Sequence, residues 1–310
     1  MRLVTFIREG RDAVGTVLKG RSGDDQIVDL NRAHTERTGE SLAPTMRTFL
    51  EQGKPARQAA DETLRWIESA LEQEQDLAGE VVFGPNEVKL TAPVPDPQKI
   101  VAIGLNYMDH CREQGVDPPE RPIIFAKYPS AIIGPGVPIT WPPDLAQQVD
   151  CEAELAVVIG RRARSVSPER AYDYVAGYMN LDDVSARDLQ FDDGQWVRGK
   201  SLDTFCPIGP YLVTHDEIED PHRLAIRCTV NDQVLQDSST GEMIFKVPEL
   251  VAFTSRAFTL MPGDIIATGT PHGVGVFRDP QVFLKPGDRV SIEVEGLGRL
   301  TNPVVTWSQA

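Results

Sequence analysis

The chain alternates between short apolar runs and polar turn segments, and this pattern predicts a small N-terminal unit followed by a larger, strand-rich one. In the first ninety residues, three runs with β-branched or alternating apolar positions predict strands. Two later stretches place apolar residues at helical spacing or between helix boundary signals. The predicted elements are strands at Leu3 to Arg8, Ala13 to Lys19 and Gln26 to Leu30, and helices at Thr45 to Gln52 and from Pro55 onward.

A stiff, proline-rich connector at residues 91–97 marks the predicted domain boundary. We place a small N-terminal domain at 1–96 and a catalytic domain at 97–310. Strands at irregular spacing with few helices argue against a doubly wound sheet. They favour an α+β fold, a mixed β-sandwich roll with a small α/β accessory domain. Beyond the connector we predict strands at Lys99 to Ile103, Glu154 to Ile159, Tyr211 to Thr214, Leu224 to Asn231, Asp264 to Thr268 and Arg289 to Val294, and helices from Ser167-Pro168 and at Pro248 to Leu260.

The composition limits the kinds of molecule that this chain is expected to bind. Its 310 residues, 41% hydrophobic and 25% charged, can build a sizeable core. A net charge of −15 argues against nucleic acids and anionic membranes, which need clustered Lys and Arg. No apolar stretch approaches the roughly 18 residues that span a bilayer, so we expect a soluble, cytoplasmic protein. We expect its four scattered cysteines to be free thiols, buried or half-buried: Cys111, Cys151, Cys206 and Cys228.

Three acidic residues form the first candidate site. Glu152 and Glu154 stand at the head of the apolar run Leu155 to Ile159, and Asp183 follows about thirty positions later. Side chains at i and i+2 on a strand share a face, so both glutamates emerge on one side. A bare Glu-x-Glu pair is more often a solvated strand edge, but like charges beside a buried run need a neutralising cation. Carboxylates without a Cys or His cluster indicate Mg²⁺ or Mn²⁺ first and Ca²⁺ next.

Lys200 and a threonine-rich loop are further candidates. Lys200 precedes a stretch too apolar to be wholly exposed, and a lysine there would place positive charge where an enolate develops. In Thr268-Gly269-Thr270-Pro271, glycine lets the backbone approach a ligand and the hydroxyls can donate to a carboxylate. The loop lacks the lysine and the strand-to-helix context of a phosphate-binding loop, so we reject nucleotide binding there.

His110 and Glu113 form a candidate acid–base pair. Three residues apart on a helical turn, they can hydrogen-bond, and a carboxylate that holds an imidazole makes a general base. Taken alone, such a pair is more often a helix-surface contact. The flanking Gly104 and Gly115 indicate a mobile element that could close as a lid. His272 is a weaker candidate, and the remaining histidines are expected at the surface: His34, His215 and His222.

Five motifs occur in order along the chain: Gly104 to His110, Glu152 to Gly160, Asp183 to Gln190, Gly199 to Pro207 and Gly263 to Pro271. Together they strongly resemble the fumarylacetoacetate hydrolase family. The resemblance covers residues 97–305. The first ninety residues are similar, more weakly, to the variable small domain of longer bacterial members.

The resemblance implies a mixed β-sandwich roll, usually dimeric, with Mg²⁺, Mn²⁺ or Ca²⁺ held by carboxylates. By motif, the metal ligands would be Glu152, Glu154 and Asp183. The substrate contacts would be Arg187, Gln190 and Thr270, the enolate-stabilising group Lys200, and the lid dyad His110 with Glu113. The implied substrate is a small 2-oxo acid, often a 2,4-dioxo acid, that chelates the metal.

One metal-bound enolate could serve several reactions. Water activated by the dyad would hydrolyse a C–C bond in an acylpyruvate or fumarylpyruvate, and retention of His110 and Glu113 favours this outcome slightly. Decarboxylation of oxaloacetate or isomerisation of a hydroxymuconate-type dienol would use the same site. A hypothesis of a different kind is a metal-binding protein without catalytic activity. It is disfavoured because the His110–Glu113 pair and Lys200 are both present.

Overall fold

The computed structural model describes residues 1–19, 24–73, 77 and 81–308. The strands of this part are β1 (Arg2–Arg8), β2 (Arg11–Lys19), β3 (Asp25–Asp29), β4 (Val82–Phe83), β5 (Lys89–Leu90), β6 (Ile100–Gly104), β7 (Ile123–Lys127), β8 (Ile132–Ile133), β9 (Val149–Asp150), β10 (Ala153–Ile159), β11 (Val175–Asp182), β12 (Ser185–Ala186), β13 (Cys206–Thr214), β14 (Ala225–Val230), β15 (Gln233–Ser239), β16 (Ile265–Ala267), β17 (Arg289–Val294) and β18 (Arg299–Pro303). The α-helices are α1 (Leu30–Thr38), α2 (Met46–Gln52), α3 (Lys54–Glu72), α4 (Met108–Gln114), α5 (Arg187–Asp192), α6 (Val197–Lys200) and α7 (Val247–Ala257).

A 12-stranded sheet connects the N-terminal segment to the rest of the chain. Its order is β4-β3-β2-β1-β13-β11-β10-β16-β6-β7, with β5 paired to β1 and β8 paired to β13. Most pairs are antiparallel, but β16 with β6 and β13 with β8 are parallel. The predicted α+β class with a mixed sheet is therefore confirmed. Because β1 pairs with β13, the N-terminal strands extend this sheet; the division at residues 96 and 97 stays a prediction.

β10 is a central strand whose side chains alternate between two cores. Leu155, Val157 and Ile159 join the core shared with the antiparallel four-stranded sheet β15-β14-β17-β18. Ala156 and Val158 join the core that includes residues of α2 and α3. All seven residues of β10 are buried, and each large aliphatic side chain contributes about 1.5–3 kcal/mol of burial free energy. Leu155→Ala would cost about 2–5 kcal/mol. This packing fixes the strand that carries Glu154.

One predicted element needs correction, and several elements were not predicted, among them the central strand β11 and helix α1. The segment after Ser167 is a 3₁₀ helix, Pro168–Tyr174, rather than an α-helix. Helix α1 was not predicted, although its boundary signals are present: the Asp29 side chain accepts from the Arg32 amide, and Gly39 ends the helix at φ +81°. Only glycine adopts that conformation without strain. The other predicted strands and helices have counterparts, with boundaries that differ by up to five residues.

Predictions about histidines and cysteines had different outcomes. All four cysteines are buried and free, as predicted. The placement of His34 at the surface was wrong, because its ring is buried between α1 and α3 and lies 3.1 Å from the Thr63 hydroxyl. His215 stacks on Tyr172, and His222 accepts a hydrogen bond from the Val247 amide, so neither is a simple surface residue.

Among the helices described, none combines the length and the apolar character needed to cross a bilayer.

Candidate metal centre and catalytic cavity

Glu152, Glu154 and Asp183 converge as predicted. Glu154 lies on β10, Glu152 lies just before it, and Asp183 follows β11, the neighbouring strand. The Asp183 amide donates to the Glu152 carbonyl at 2.9 Å, so backbone pairing itself brings these residues together. All three side chains are buried, and one carboxylate oxygen from each lies within 4.8 Å of the others. That span is about twice a metal–oxygen distance of roughly 2.0–2.6 Å, so one ion could contact all three.

Buried cations hold two of these carboxylates. Lys200 donates from Nζ to Glu152 Oε2 and to Asp183 Oδ2, at 2.8 Å in both cases. Lys127 Nζ contacts Asp183 Oδ1 at 2.6 Å, and Arg187 Nη1 contacts Glu152 Oε1 at 2.7 Å. Glu152 and Asp183 therefore each meet two cationic groups. Such pairs compensate for burial only where the geometry is close, as it is here.

Glu154 differs from its neighbours in its charge balance. The structure shows one hydrogen bond to it, from the Gly269 amide at 2.9 Å, and no cationic partner among the described residues. Burial, together with the charges of Asp183 and Glu152, raises the pKa of Glu154 well above its usual value. Burial alone would also raise the pKa of Glu152, but Lys200 and Arg187 outweigh it and lower the pKa to about 2.

The donor set fits a hard divalent ion. Glu154 is a buried carboxyl without an ion-pair partner among the described residues. The charge of Lys200 lowers its pKa, but burial and the neighbouring carboxylates outweigh that effect, and an ion between the three oxygens would supply further positive charge. The oxygen-only composition suits Mg²⁺, Mn²⁺ or Ca²⁺. Glu152, Glu154 and Asp183 would hold such an ion.

His110 and Glu113 contact each other on α4, and their role as an acid–base pair stays a prediction. His110 Nδ1 lies 2.7 Å from Glu113 Oε2, while Glu113 Oε1 accepts from the Gly273 amide at 2.7 Å. The second ring nitrogen, Nε2, lies 2.8 Å from the side-chain nitrogen of Gln114. The carboxylate thus has its second oxygen anchored on the loop that follows Thr270. This anchoring orients the imidazole.

The three residues predicted to contact a substrate form hydrogen bonds or ion pairs within the protein: Arg187, Gln190 and Thr270. Arg187 forms a close ion pair with Asp150 as well as with Glu152, and it donates to Gln190 Oε1 at 3.0 Å. The Thr270 hydroxyl donates to the Ala153 carbonyl and accepts from Gln236. These contacts give all three residues defined positions. Their contact with a substrate stays a prediction.

One cavity of about 100 Å³ unites the site. It is smaller than the roughly 300–1,000 Å³ typical of ligand pockets, which favours a small substrate. Asp183 and Glu113 do not line the cavity, but they contact Lys200 and His110, which do. The predicted residues that line it are His110, Glu152, Glu154, Arg187, Gln190, Lys200 and Thr270. Apolar walls come from Ile103, Leu105, Phe125, Phe191, Trp196 and Phe277.

The sequence analysis missed three polar residues of this region. Asp150 shares the alternation of Glu152 and Glu154 one step earlier, so the same argument would have found it. Lys127 ends β7 on the same face as the buried Phe125, a weak signal for a buried lysine. Gln114 lies four residues after His110 on α4, so the helical spacing used for His110 and Glu113 would also have found it.

The fold and the candidate site can be compared with those of known protein families. The features to be matched are an α+β fold with a mixed sheet, an acidic candidate metal centre and an adjacent histidine–glutamate pair. A family model, the fumarylacetoacetate (FAA) hydrolase C-terminal domain, matches residues 99–305. The chain belongs to the fumarylacetoacetate hydrolase family, as its motifs predicted.

Similar proteins of this family are named for several different activities. The chain is 47% identical over 307 residues to the mitochondrial oxaloacetate tautomerase fahd2 of Xenopus laevis. The alignment covers 98% of this chain and 90% of the relative. A 5-carboxymethyl-2-hydroxymuconate delta-isomerase structure from Mycobacterium smegmatis matches with TM-score 0.75 and 37% identity, covering 99% of this chain and 100% of the other. Maleylpyruvate hydrolase from Sphingobium sp. SYK-6 matches with TM-score 0.75 and 35% identity, with the same coverage.

Proposed function

We propose that this protein is a divalent-metal-dependent enzyme that interconverts the keto and enol forms of a small 2-oxo acid of the oxaloacetate type. The observation that carries the proposal is one histidine base opposite a buried carboxylate cluster in one small cavity. The 47% identity to a protein named oxaloacetate tautomerase, over 98% of this chain, supports the same reaction.

Tautomerisation needs one proton to leave carbon and one to reach oxygen. His110 lines the cavity, and Nε2 is its ring nitrogen that Glu113 does not hold. Nε2 would take the proton from C3 of the acid and deliver it to the enolate oxygen, so that the protons balance. Glu113 at Nδ1 would hold the ring in place and stabilise the resulting imidazolium. A bound divalent ion would supply Lewis-acid polarisation of the 2-oxo group. Phe277, one of the apolar wall residues, lies against the His110 ring at a centroid distance of 5.9 Å.

Lys200 would stabilise the negative charge that develops at the substrate oxygen. Lys200 lines the cavity, and its ammonium group is buried between Glu152 and Asp183. Burial on its own would lower the pKa of Lys200, but Asp183 and Glu152 outweigh burial and raise it. The group therefore stays charged at neutral pH. It acts as a fixed positive charge rather than as a proton donor.

Hydrolysis of a C–C bond in an acylpyruvate is the second candidate. The close His110–Glu113 contact favours it, because such a pair can activate water as well as carbon acids. The similarity to a maleylpyruvate hydrolase structure is in keeping with this alternative. Decarboxylation of oxaloacetate would use the same site but would not need His110 as a base.

The test compares these reactions in one preparation. Protein stripped with a chelator is resupplied with Mg²⁺ or Mn²⁺ and given enol-oxaloacetate, whose ultraviolet absorbance falls as the keto form appears. Pyruvate from acylpyruvates and CO₂ from oxaloacetate are measured separately. We expect metal-dependent enol decay to be the fastest of the three. Enol decay at the uncatalysed rate, or decay indifferent to chelation, would overturn the proposal.

A further inference from the structure

Gln114 is the last residue of α4 and has no place in the reaction as described so far. Its side-chain nitrogen lies 2.8 Å from His110 Nε2, the ring atom opposite the one that Glu113 holds. Gln114 also lines the cavity. Both nitrogens of the imidazole are therefore engaged by side chains of the same short helix.

The two contacts are consistent with one tautomer only. An ionised Glu113 can only accept, so the Nδ1 nitrogen of His110 must carry a hydrogen. In a neutral imidazole Nε2 then has a lone pair, which accepts from the Gln114 amide. Nε2 is thereby kept unprotonated, the form that a general base needs. A water molecule that donates to the Nε2 lone pair would have to displace this amide.

We propose that Gln114 is a positioning residue that fixes the base-competent tautomer of His110 and keeps water from Nε2, so that the site moves protons on carbon in preference to hydrolysing C–C bonds. The inference rests on the proposed function, because it explains a choice between two reactions of the same site. A 2-oxo acid offers oxygens that can accept the Gln114 amide, which lets its C3 reach Nε2. A water molecule must instead compete for His110 Nε2 with the Gln114 amide. This amide is tethered one helical turn away and therefore has a high effective concentration.

The experiment uses the full-length, metal-loaded protein and two variants of this residue. Gln114→Ala removes the amide, and Gln114→Glu replaces the donor with an acceptor. Arg112→Ala is the matched control on α4, because Arg112 is 69% exposed and meets Glu242 only at 3.5 Å. The readouts are enol-oxaloacetate decay, pyruvate release from acetylpyruvate, and ¹⁵N NMR of histidine-labelled protein, with the His110 signals assigned through His110→Ala.

For Gln114→Ala we expect the ratio of acetylpyruvate hydrolysis to tautomerisation to rise about tenfold, the scale of one hydrogen bond. The ¹⁵N signals should change from a single Nδ1–H tautomer to a mixture. Gln114→Glu should slow tautomerisation at least about tenfold and protonate both ring nitrogens of His110. Arg112→Ala should match the wild type in both readouts.

An unchanged ratio in Gln114→Ala, or a wild-type protein whose His110 carries its hydrogen on Nε2, would overturn the inference. Failure of the proposed function looks different. In that case the wild type would not accelerate enol decay, while the ¹⁵N spectra would still report whether Gln114 fixes the tautomer.

Discussion

The two ends of the cavity are built on different kinds of structure. The carboxylates at one end come from β10 and the end of β11, strands that are paired on both sides. The base at the other end belongs to α4, a helix of seven residues followed by an exposed segment. The difference leads us to expect that an ion would be held by strands that are paired on both sides. If the proposed function is correct, the choice of reaction would instead depend on a short helix beside an exposed segment.

The largest expected effect is at the carboxylate end. Glu152→Gln or Asp183→Asn should lower metal-dependent turnover by about 10³-fold, because the Lewis acid supplies several kcal/mol of stabilisation. Steady-state rates at saturating Mn²⁺ measure this loss. Asp173→Asn, which alters an exposed carboxyl outside the cavity, is the control. Near-normal turnover in either ligand variant would remove the metal from the account.

At the helix end, His110→Ala should lower the tautomerisation rate by about 10²-fold or more, the usual contribution of a general base. Affinity for Mn²⁺ should stay within about twofold, because His110 is not one of the three converging groups. Isothermal titration and enol decay on the same sample separate the two quantities. A large drop in Mn²⁺ affinity would mean that the two ends are not independent.

Stability should distinguish the carboxylates from one another in the metal-free protein. Asp183→Asn leaves Lys127 without its buried carboxylate partner and leaves Lys200 with Glu152 alone, and we expect the free energy of unfolding to fall by about 3–5 kcal/mol. Glu154→Gln should not destabilise, because no cation pairs with this group among the described residues. Chemical denaturation after chelation compares them. Equal losses would contradict the charge assignment.

The pH dependence of Glu154→Gln has a definite sign. The unfolded carboxyl titrates near 4.5, and in the folded, metal-free chain its pKa is raised above that value. The folded state therefore binds the proton more tightly, so this group's contribution is full below about pH 4.5 and declines as pH rises towards the folded pKa. The stability of the variant relative to wild type should increase with pH. A difference that is flat between pH 4 and 8 would contradict this.

The smallest effect is expected on the outer face of α4. Arg112→Ala removes an exposed ion pair and should change the free energy of unfolding by less than about 1 kcal/mol. Thermal unfolding and enol decay are the measurements. A substantial loss of activity would show that α4 is held by its outer face and not by the Glu113 contact with Gly273.

Local patterns predicted the carboxylate end better than the contacts around it. Strand alternation gave Glu152 and Glu154, because their shared face follows from two-residue periodicity. Lys127 was missed because its partner Asp183 lies 56 residues away, and no local pattern distinguishes a buried lysine from a solvated one. The Gln114 contact depends on a rotamer within one helix. The homodimer expected from the family resemblance stays a prediction.

The most direct test is a crystal structure of the protein saturated with Mn²⁺, with the ion located by its anomalous scattering. We predict one ion per chain, coordinated by oxygens of Glu152, Glu154 and Asp183 at about 2.0–2.6 Å, with open positions towards His110. A map without an ion between these carboxylates, or with the ion held elsewhere, would contradict the central claim.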